Sequence, residues 1–549
     1  MTNTTTATTG PTGTGWNLAD VWEAIAEQIP DAIAQQQGDR TITWGELDRR
    51  ADAIAHRLLA APGAAEQDKV AQYLANSPEY LESIFAAFKA GMAVVNTNYR
   101  YTPDEIEYLW DNADVTSVVF HGSFVEQCAA VRERLPRITT WLWVDDGADP
   151  CPDWAEPYED IATGTTDRAI GPWGRSPDHL LLLYTGGTTG MPKGVMWRQD
   201  DLFAILDANN KKRLSATQDL EAAQGRLTGP GPRNMPAAPL MHGTGLFNAI
   251  SNMIVGGSIT SMEGQSFTPD EFLDSVERYG INSTSIVGDA FAKPILRALD
   301  AEPDRWDISS LRVVVSSGVM WSKQVKDGLL RHNPRLILVD ALGSSEAIGM
   351  ATNTTTAGSA DETAKFELGE NTRVVTDDGR DVVPGSGELG RVALRGRTPI
   401  GYYKDEKKSA STFLTIDGDR YSIPGDYATV EADGTISLKG RGSQCINTGG
   451  EKVYPEEVEE ALKLHPDVAD AAVVGLPDEK WGEAINALVE LHAGAELDAE
   501  ALVSHVKQTL AGYKAPKKIF EIDTIGRAPN GKLDYKGLKA TAAERAGVG

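Results

Sequence analysis

Residues 184–195, YTGGTTGMPKGV, follow the apolar run 180–183 and combine four glycines, three threonines and one lysine. Those types suit an anion. Glycines let backbone N–H groups turn toward a phosphate, the hydroxyls of Thr185, Thr188 and Thr189 add donors, and Lys193 supplies charge. Gly186, Gly187 and Gly190 complete the candidate cradle, which a buried strand would feed at the carboxyl end of a parallel sheet. A Walker loop is excluded, because Pro192 precedes Lys193 and Gly194 follows it, where that motif needs glycine and then Ser or Thr. Further short motifs carry reactive or charged side chains. They are His242 in Pro239-Leu240-Met241-His242-Gly243, the pair Ser317-Gly318, Glu346 in Gly343-Ser344-Ser345-Glu346, Asp426 in Pro424-Gly425-Asp426, Arg441 after Gly440, and Lys532 in Pro529-Asn530-Gly531-Lys532. Each alone has an ordinary reading: a packed histidine, a solvated loop acid, a turn aspartate, a linker arginine, a surface lysine.

The elements that must position these residues alternate. Asn17 reads as the N-cap of a helix with Leu18, Val21, Trp22, Ile25 and Ile29 on one face. A strand at 41–43 then meets Thr43-Trp44-Gly45-Glu46, a capping box opening a second helix. A strand at 70–74, a helix opened by Ser77-Pro78-Glu79 and stopped at Gly91, a strand at 92–95, a helix opened by Thr102-Pro103-Asp104-Glu105 and a strand at 116–120 predict a largely parallel sheet covered by helices. Residues 145–178 read as connecting structure. Alternation resumes with strands at 285–287, 313–315 and 336–339, whose glycine or polar ends lie where ligands collect in open α/β sheets. Segments 373–376, 390–394 and 435–438, separated by Asp-Gly and Pro-Gly turns, predict an antiparallel subdomain. A helix at 455–464, strands near 471–474 and 487–491, and a helix near 498–510 predict a smaller unit with its own core. The expected division is a disordered polar tail over 1–15, a large α/β domain over 16–442 and a small mobile α+β domain over 443–549.

Bulk numbers bound the partners. With 549 residues the chain exceeds one ordinary core, and a net charge of -27 argues against nucleic acid, whose phosphates select basic surfaces. The cysteines Cys128, Cys151 and Cys445 have neither metal-like nor disulfide-framework spacing, which fits a reducing cytoplasm. No apolar run approaches the roughly 20 residues of a membrane helix, and 1–15 lacks the features of a signal peptide. Oligomeric state is not written in the sequence, and a homodimer is compatible with it.

In their order along the chain, these motifs resemble the adenylate-forming superfamily of acyl-CoA synthetases, luciferases and peptide-synthetase adenylation domains. The resemblance spans about residues 17 to 540. Within the superfamily, MPKGVMWR at 191–198, GYYKDEKKSASTF at 401–413 and GRGSQCINTGGEKVYPEEVEEALK at 440–463 look most like actinobacterial synthetases for steroid side chains and fatty acids.

The resemblance implies a two-step ligase. A carboxylate attacks the α-phosphate of ATP, giving an acyl-adenylate and pyrophosphate, and the thiol of coenzyme A then displaces AMP. Residues 185–190 and Lys193 would hold the β- and γ-phosphates. Glu346 would bind Mg²⁺, Asp426 would accept from the ribose hydroxyls with Arg441 assisting, and Ser317-Gly318 with Gly343, Ser344 and Ser345 would wall the adenine. Leu342 departs from the aromatic residue that many relatives carry there, so apolar packing is expected instead of stacking. Lys532 resembles the lysine that bridges carboxylate and α-phosphate in the first step. Gly449 and Gly450 would meet the pantetheine once the small domain has turned, with Lys452 near the phosphates. Ser443-Gln444 replace the acidic residue or lysine that relatives place at the hinge. His242 either orients the carboxylate or packs in the core. Phe247, residues 288–291 and Met320-Trp321 would line the acyl tunnel or belong to ordinary core. Their apolar character favours a lipid-like acid over an amino acid, whose ammonium would want a buried acidic partner. Fatty-acid and aromatic-acid ligases share the mechanism, and a module that loads a carrier in trans is the rival of another class.

Overall fold

The computed structural model describes residues 15–164, 167–187, 190–208, 210–211, 213–217, 219–319, 321–359, 365–441, 446–448, 451–478, 482–510, 512–528 and 533–548. Two expectations, the polar tail and the boundary at 443, therefore fall outside or almost wholly outside the described residues.

The described chain forms three sheets. In the first, strands Ala93–Asn96, Lys69–Tyr73, Val115–His121 and Thr140–Val144 run parallel, and Leu180–Gly187 joins beside Ala93–Asn96 in the same direction. Helices follow where the capping signals place them. Asn17 accepts from the Ala19 N–H at the start of Leu18–Gln28, and Thr102 and Glu105 form a reciprocal capping box on Pro103–Asn112. At Trp44–Leu59 the Thr43 hydroxyl accepts from the Glu46 N–H at 3.2 Å, which is one half of the expected box. Ser77 makes no side-chain cap bond, and Pro78 opens that helix by its fixed φ alone. Gly91, at φ +68°, ends it where a Cβ would stand 2.3 Å from the Trp173 indole nitrogen.

A second, longer sheet has Arg40–Thr43 at its edge, antiparallel to Ile33–Gln37, and from there runs parallel through Ser258–Ser261, Arg233–Pro236, Ser283–Ile286, Val313–Ser317 and Ile337–Ser344. It turns antiparallel at Ala347–Thr355 and continues through Leu389–Arg395, Asp426–Val430 and Ile436–Arg441, the predicted antiparallel subdomain. The stretch at 145–178 is not wholly irregular, because it holds the short helix Tyr158–Ala162. That helix is too short to show a hydrophobic period. It is held by Tyr158, buried in the core, and by Glu159, which accepts from Arg50 at 2.8 and 2.9 Å.

The third sheet, in the smaller unit, is built on the antiparallel pair Val468–Asp478 and Gly482–Leu491. Helices Pro455–Lys463 and Ala499–Thr509 contribute to one apolar cluster, and Tyr535–Ala546 contributes to a second. Among the described residues no helix is long and apolar enough to cross a membrane.

Candidate active site

The glycine-rich stretch, expected as a phosphate-holding loop fed by a strand, belongs to two paired strands of a β-hairpin. Leu180–Gly187 pairs antiparallel with Gly190–Arg198, putting Tyr184 opposite Gly194, Thr185 opposite Lys193 and Gly187 opposite Gly190. Thr188 and Thr189 lie outside the described residues. Gly194 is required by close approach, since a Cβ there would stand 2.6 Å from the Tyr184 ring. Asn96, at the end of its parallel strand, stitches this hairpin to the 239–242 segment. Its amide oxygen accepts from the Tyr184 N–H at 2.6 Å, while its nitrogen donates to Tyr184 O at 2.9 Å and Met241 O at 2.7 Å. Asn76 clamps the same segment, donating to Pro236 O and Ala238 O and accepting from the Leu240 N–H.

Glu346 sits in the turn between Ile337–Ser344 and Ala347–Thr355, which places it after a strand as expected, though the strand runs to Ser344. Four elements fix the turn. The Ser344 hydroxyl accepts from the Glu346 N–H at 3.2 Å, Ser422 donates to Glu346 O at 2.7 Å, and the Trp197 indole donates to Ser345 O at 2.9 Å. The Tyr402 phenol donates to Glu346 Oε1 at 2.8 Å. Trp197 lies on the returning strand of the glycine-rich hairpin, so the lysine strand and the acid are mechanically joined.

The short strand Gly401–Tyr402 strengthens that join. Its residues pair with Met196 and Val195, and the Tyr403 N–H donates to Gly194 O at 2.8 Å. Asp405 forms an ion pair with Lys193, whose side chain is 40% exposed. Lys193 and the Lys408 N–H hold the Asp405 carboxyl below the usual carboxylate range. No cluster of three or more His, Cys, Asp or Glu side chains suited to a metal occurs among the described residues. Glu346, a single carboxylate that accepts from Tyr402, is the kind of donor that would hold Mg²⁺ together with phosphate oxygens and water.

The other candidates are distributed around this core. Ser317 ends Val313–Ser317 opposite Ala341, and Gly318 follows at φ +98°. Gly343 and Leu342 lie on the next strand, where Leu342 packs into the core of the antiparallel subdomain with Ala347 and Met350. Asp426, 7% exposed, pairs in register with Arg441 across two antiparallel strands. His242 occupies the N-cap position of Gly243–Met253, half-buried, with its N–H donating to Pro239 O at 3.1 Å. Lys452 stands opposite Asn447 in the small sheet. Phe247 packs edge-on to Trp197 at 6.2 Å between ring centroids, while Phe291 and Trp321 belong to the core cluster around Ile286 and Val314. Gly449, Gly450, Lys532, Met320 and Ser443-Gln444 lie outside the described residues. Sequence reading missed Asn76, Asn96, Trp197, Tyr402 and Asp405. Asn96 left the best signal, a polar residue closing an apolar strand.

Comparison with known proteins follows this geometry. Residues 22–403 match the family profile described as AMP-binding enzyme, and 457–532 match the AMP-binding enzyme C-terminal domain. A medium/long-chain-fatty-acid–CoA/3-oxocholest-4-en-26-oate–CoA ligase of Mycobacterium tuberculosis is 38% identical over 96% of both chains. A 3-oxocholest-4-en-26-oate–CoA ligase of Rhodococcus rhodochrous is 38% identical over 95% of both. Among solved structures, an anthranilate CoA ligase in complex with anthranoyl-AMP superposes with a TM-score of 0.82, covering 98% of this chain and 99% of that one at 22% identity, a likeness of fold.

Proposed function

Because the chain belongs to the AMP-binding enzyme family, we propose that it is an AMP-forming acyl-CoA ligase that activates a hydrophobic carboxylic acid, with a steroid side-chain acid or a medium- to long-chain fatty acid as the substrate class. The carrying observation is that Lys193 and Glu346, 153 positions apart by subtraction of their numbers, share one support: Asp405 holds the first and Tyr402 the second. A cation on a strand and a carboxylate at a turn, both tied to the 402–405 segment, suit a nucleotide triphosphate and its metal. The substrate class rests on the relatives' names and on the apolar side chains of the predicted tunnel.

In this reading the first step brings two anions together, so fixed donors and positive charge must meet the charge that builds up on phosphorus. Thr185 and Lys193, with residues 186–190, hold the β- and γ-phosphates. Glu346 holds Mg²⁺, which when bound neutralises phosphate charge. Asp426 accepts from the ribose hydroxyls, Arg441 assists, and Ser317, Gly318 and residues 343–345 flank the base. Lys532 meets the reacting carboxylate and α-phosphate in the first step, and residues 449, 450 and 452 face coenzyme A in the second. The two units divide at 442/443, and the cytoplasm is the compartment that supplies ATP and coenzyme A.

Pyrophosphate release across steroid, fatty and aromatic acids, with and without coenzyme A, tests the proposal. Turnover with a hydrophobic acid that yields acyl-CoA is expected. ATP-dependent pyrophosphate release that never yields acyl-CoA would overturn it in favour of carrier loading.

A further inference from the structure

The phenol of Tyr402 has almost no freedom of its own. Its ring is 5% exposed and packs against Phe413 with centroids 5.9 Å apart. Its backbone is paired with Val195, and its N–H donates to Ser409 Oγ at 2.8 Å. The Glu346 backbone is equally fixed, by Ser422 at its carbonyl and Ser344 at its amide. What remains soft is the rotation of the Glu346 side chain, which is half-buried at a turn and has several staggered rotamers open to it. A hydroxyl anchored at one end and donating to Oε1 at 2.8 Å selects one of them.

We propose that Tyr402 is a positioning residue whose hydroxyl holds the Glu346 carboxylate in the rotamer that receives Mg²⁺ with the nucleotide. This rests on the reading of Glu346 given above. A residue that orients a metal-holding carboxylate through one hydrogen bond is worth roughly 10- to 100-fold in metal affinity. The alternative is that the ring alone matters, as core filling. Tyr402→Phe separates the two, because it keeps the ring and removes the donor.

The experiment is equilibrium binding of the non-hydrolysable analogue α,β-methylene-ATP to the full-length protein, titrated with MgCl2, for wild type, Y402F, E346Q and the double variant, with thermal unfolding measured alongside. Y402F is expected to match wild type in unfolding and in Mg²⁺-free binding, while needing about tenfold more Mg²⁺ for half-maximal stimulation. E346Q is expected to remove the Mg²⁺ stimulation, and the double variant to equal E346Q. Wild-type Mg²⁺ dependence in Y402F would overturn the proposal. So would an equal loss with and without Mg²⁺, which is what a purely structural role gives. Wild-type Mg²⁺ dependence in E346Q would instead refute the role of Glu346, and the proposal would fall with it.

Discussion

Lys193 and Asp405 form an ion pair that is 40% exposed on the lysine side and 26% on the aspartate side. An exposed pair of this kind contributes roughly 0.2–1 kcal/mol, so a polyphosphate, with several negative charges, can take the ammonium from a single carboxylate. Asp405 also caps the helix Glu406–Thr412 by accepting from the Lys408 N–H. Asp405→Asn removes the charge but keeps an effective N-cap, so it isolates the competition for the lysine. The expected result is pyrophosphate and ATP binding a few-fold tighter at low salt, a gain that shrinks as ionic strength rises. In a Lys193→Ala background the substitution should have no effect, which calorimetric titration of the four proteins would check. Weaker binding in the single variant would mean that Asp405 orients the lysine and does not compete for it. The candidate residues were proposed from the sequence because their types and order stand out. Their partners were not, because the Lys193 to Asp405 contact spans 212 positions and leaves no local pattern.

Among elements, the decisive one is the hairpin Leu180–Gly187 and Gly190–Arg198. Its glycines read as a phosphate-holding loop after a strand, and the returning strand was not foreseen, since local composition does not specify which strand a segment will pair with. By contrast the helix starts at Asn17 and Thr102 were legible, because a cap is a local hydrogen bond between residues two or three apart. The antiparallel subdomain was legible from its Asp-Gly and Pro-Gly turns, while the helix Tyr158–Ala162 was too short to show a period. Asn96 carries the hairpin's attachment to the 239–242 segment, and all three of its hydrogen bonds are buried or nearly so. Asn96→Ala would leave a buried N–H and two carbonyls short of a partner, an expected cost of about 3 kcal/mol. Chemical denaturation of the large unit should show that loss, and the KM values for acid and ATP should rise together because both flanks of the site loosen. A stability loss without any change in KM would confine Asn96 to the fold.

For the whole molecule the question is whether the two units can carry different halves of one reaction. The smaller unit has its own apolar clusters, one holding Val473 and the other Leu488, which is what the proposed rotation of that unit as a body requires. The segment bearing Lys532 is tied to that body on both sides. Arg527 donates to both Asp470 oxygens at 2.6 and 2.8 Å, and Leu533 is buried in the cluster that holds Leu538. Under the proposed rotation of the smaller unit, Lys532 would move with it by chain connection to these flanking residues. Near the junction, Gly440 sits at φ +113°, where a Cβ would stand 2.2 Å from Glu456 Oε2, and the Tyr427 and Tyr454 rings lie 5.9 Å apart. In the proposed mechanism, a lysine delivered by rotation would serve only the step performed with the small unit in that orientation. Lys532→Ala should accordingly slow acyl-adenylate formation by at least about a hundredfold, the scale of losing one positive group from a site of developing charge. Thioester formation from acyl-adenylate supplied directly should stay within a few-fold of wild type, since in the proposed mechanism that step proceeds with the lysine withdrawn. Single-turnover assays of each half-reaction would measure both rates. Equal loss in the two steps would mean that Lys532 stays at the site throughout, and the division of labour between the units would have to be abandoned.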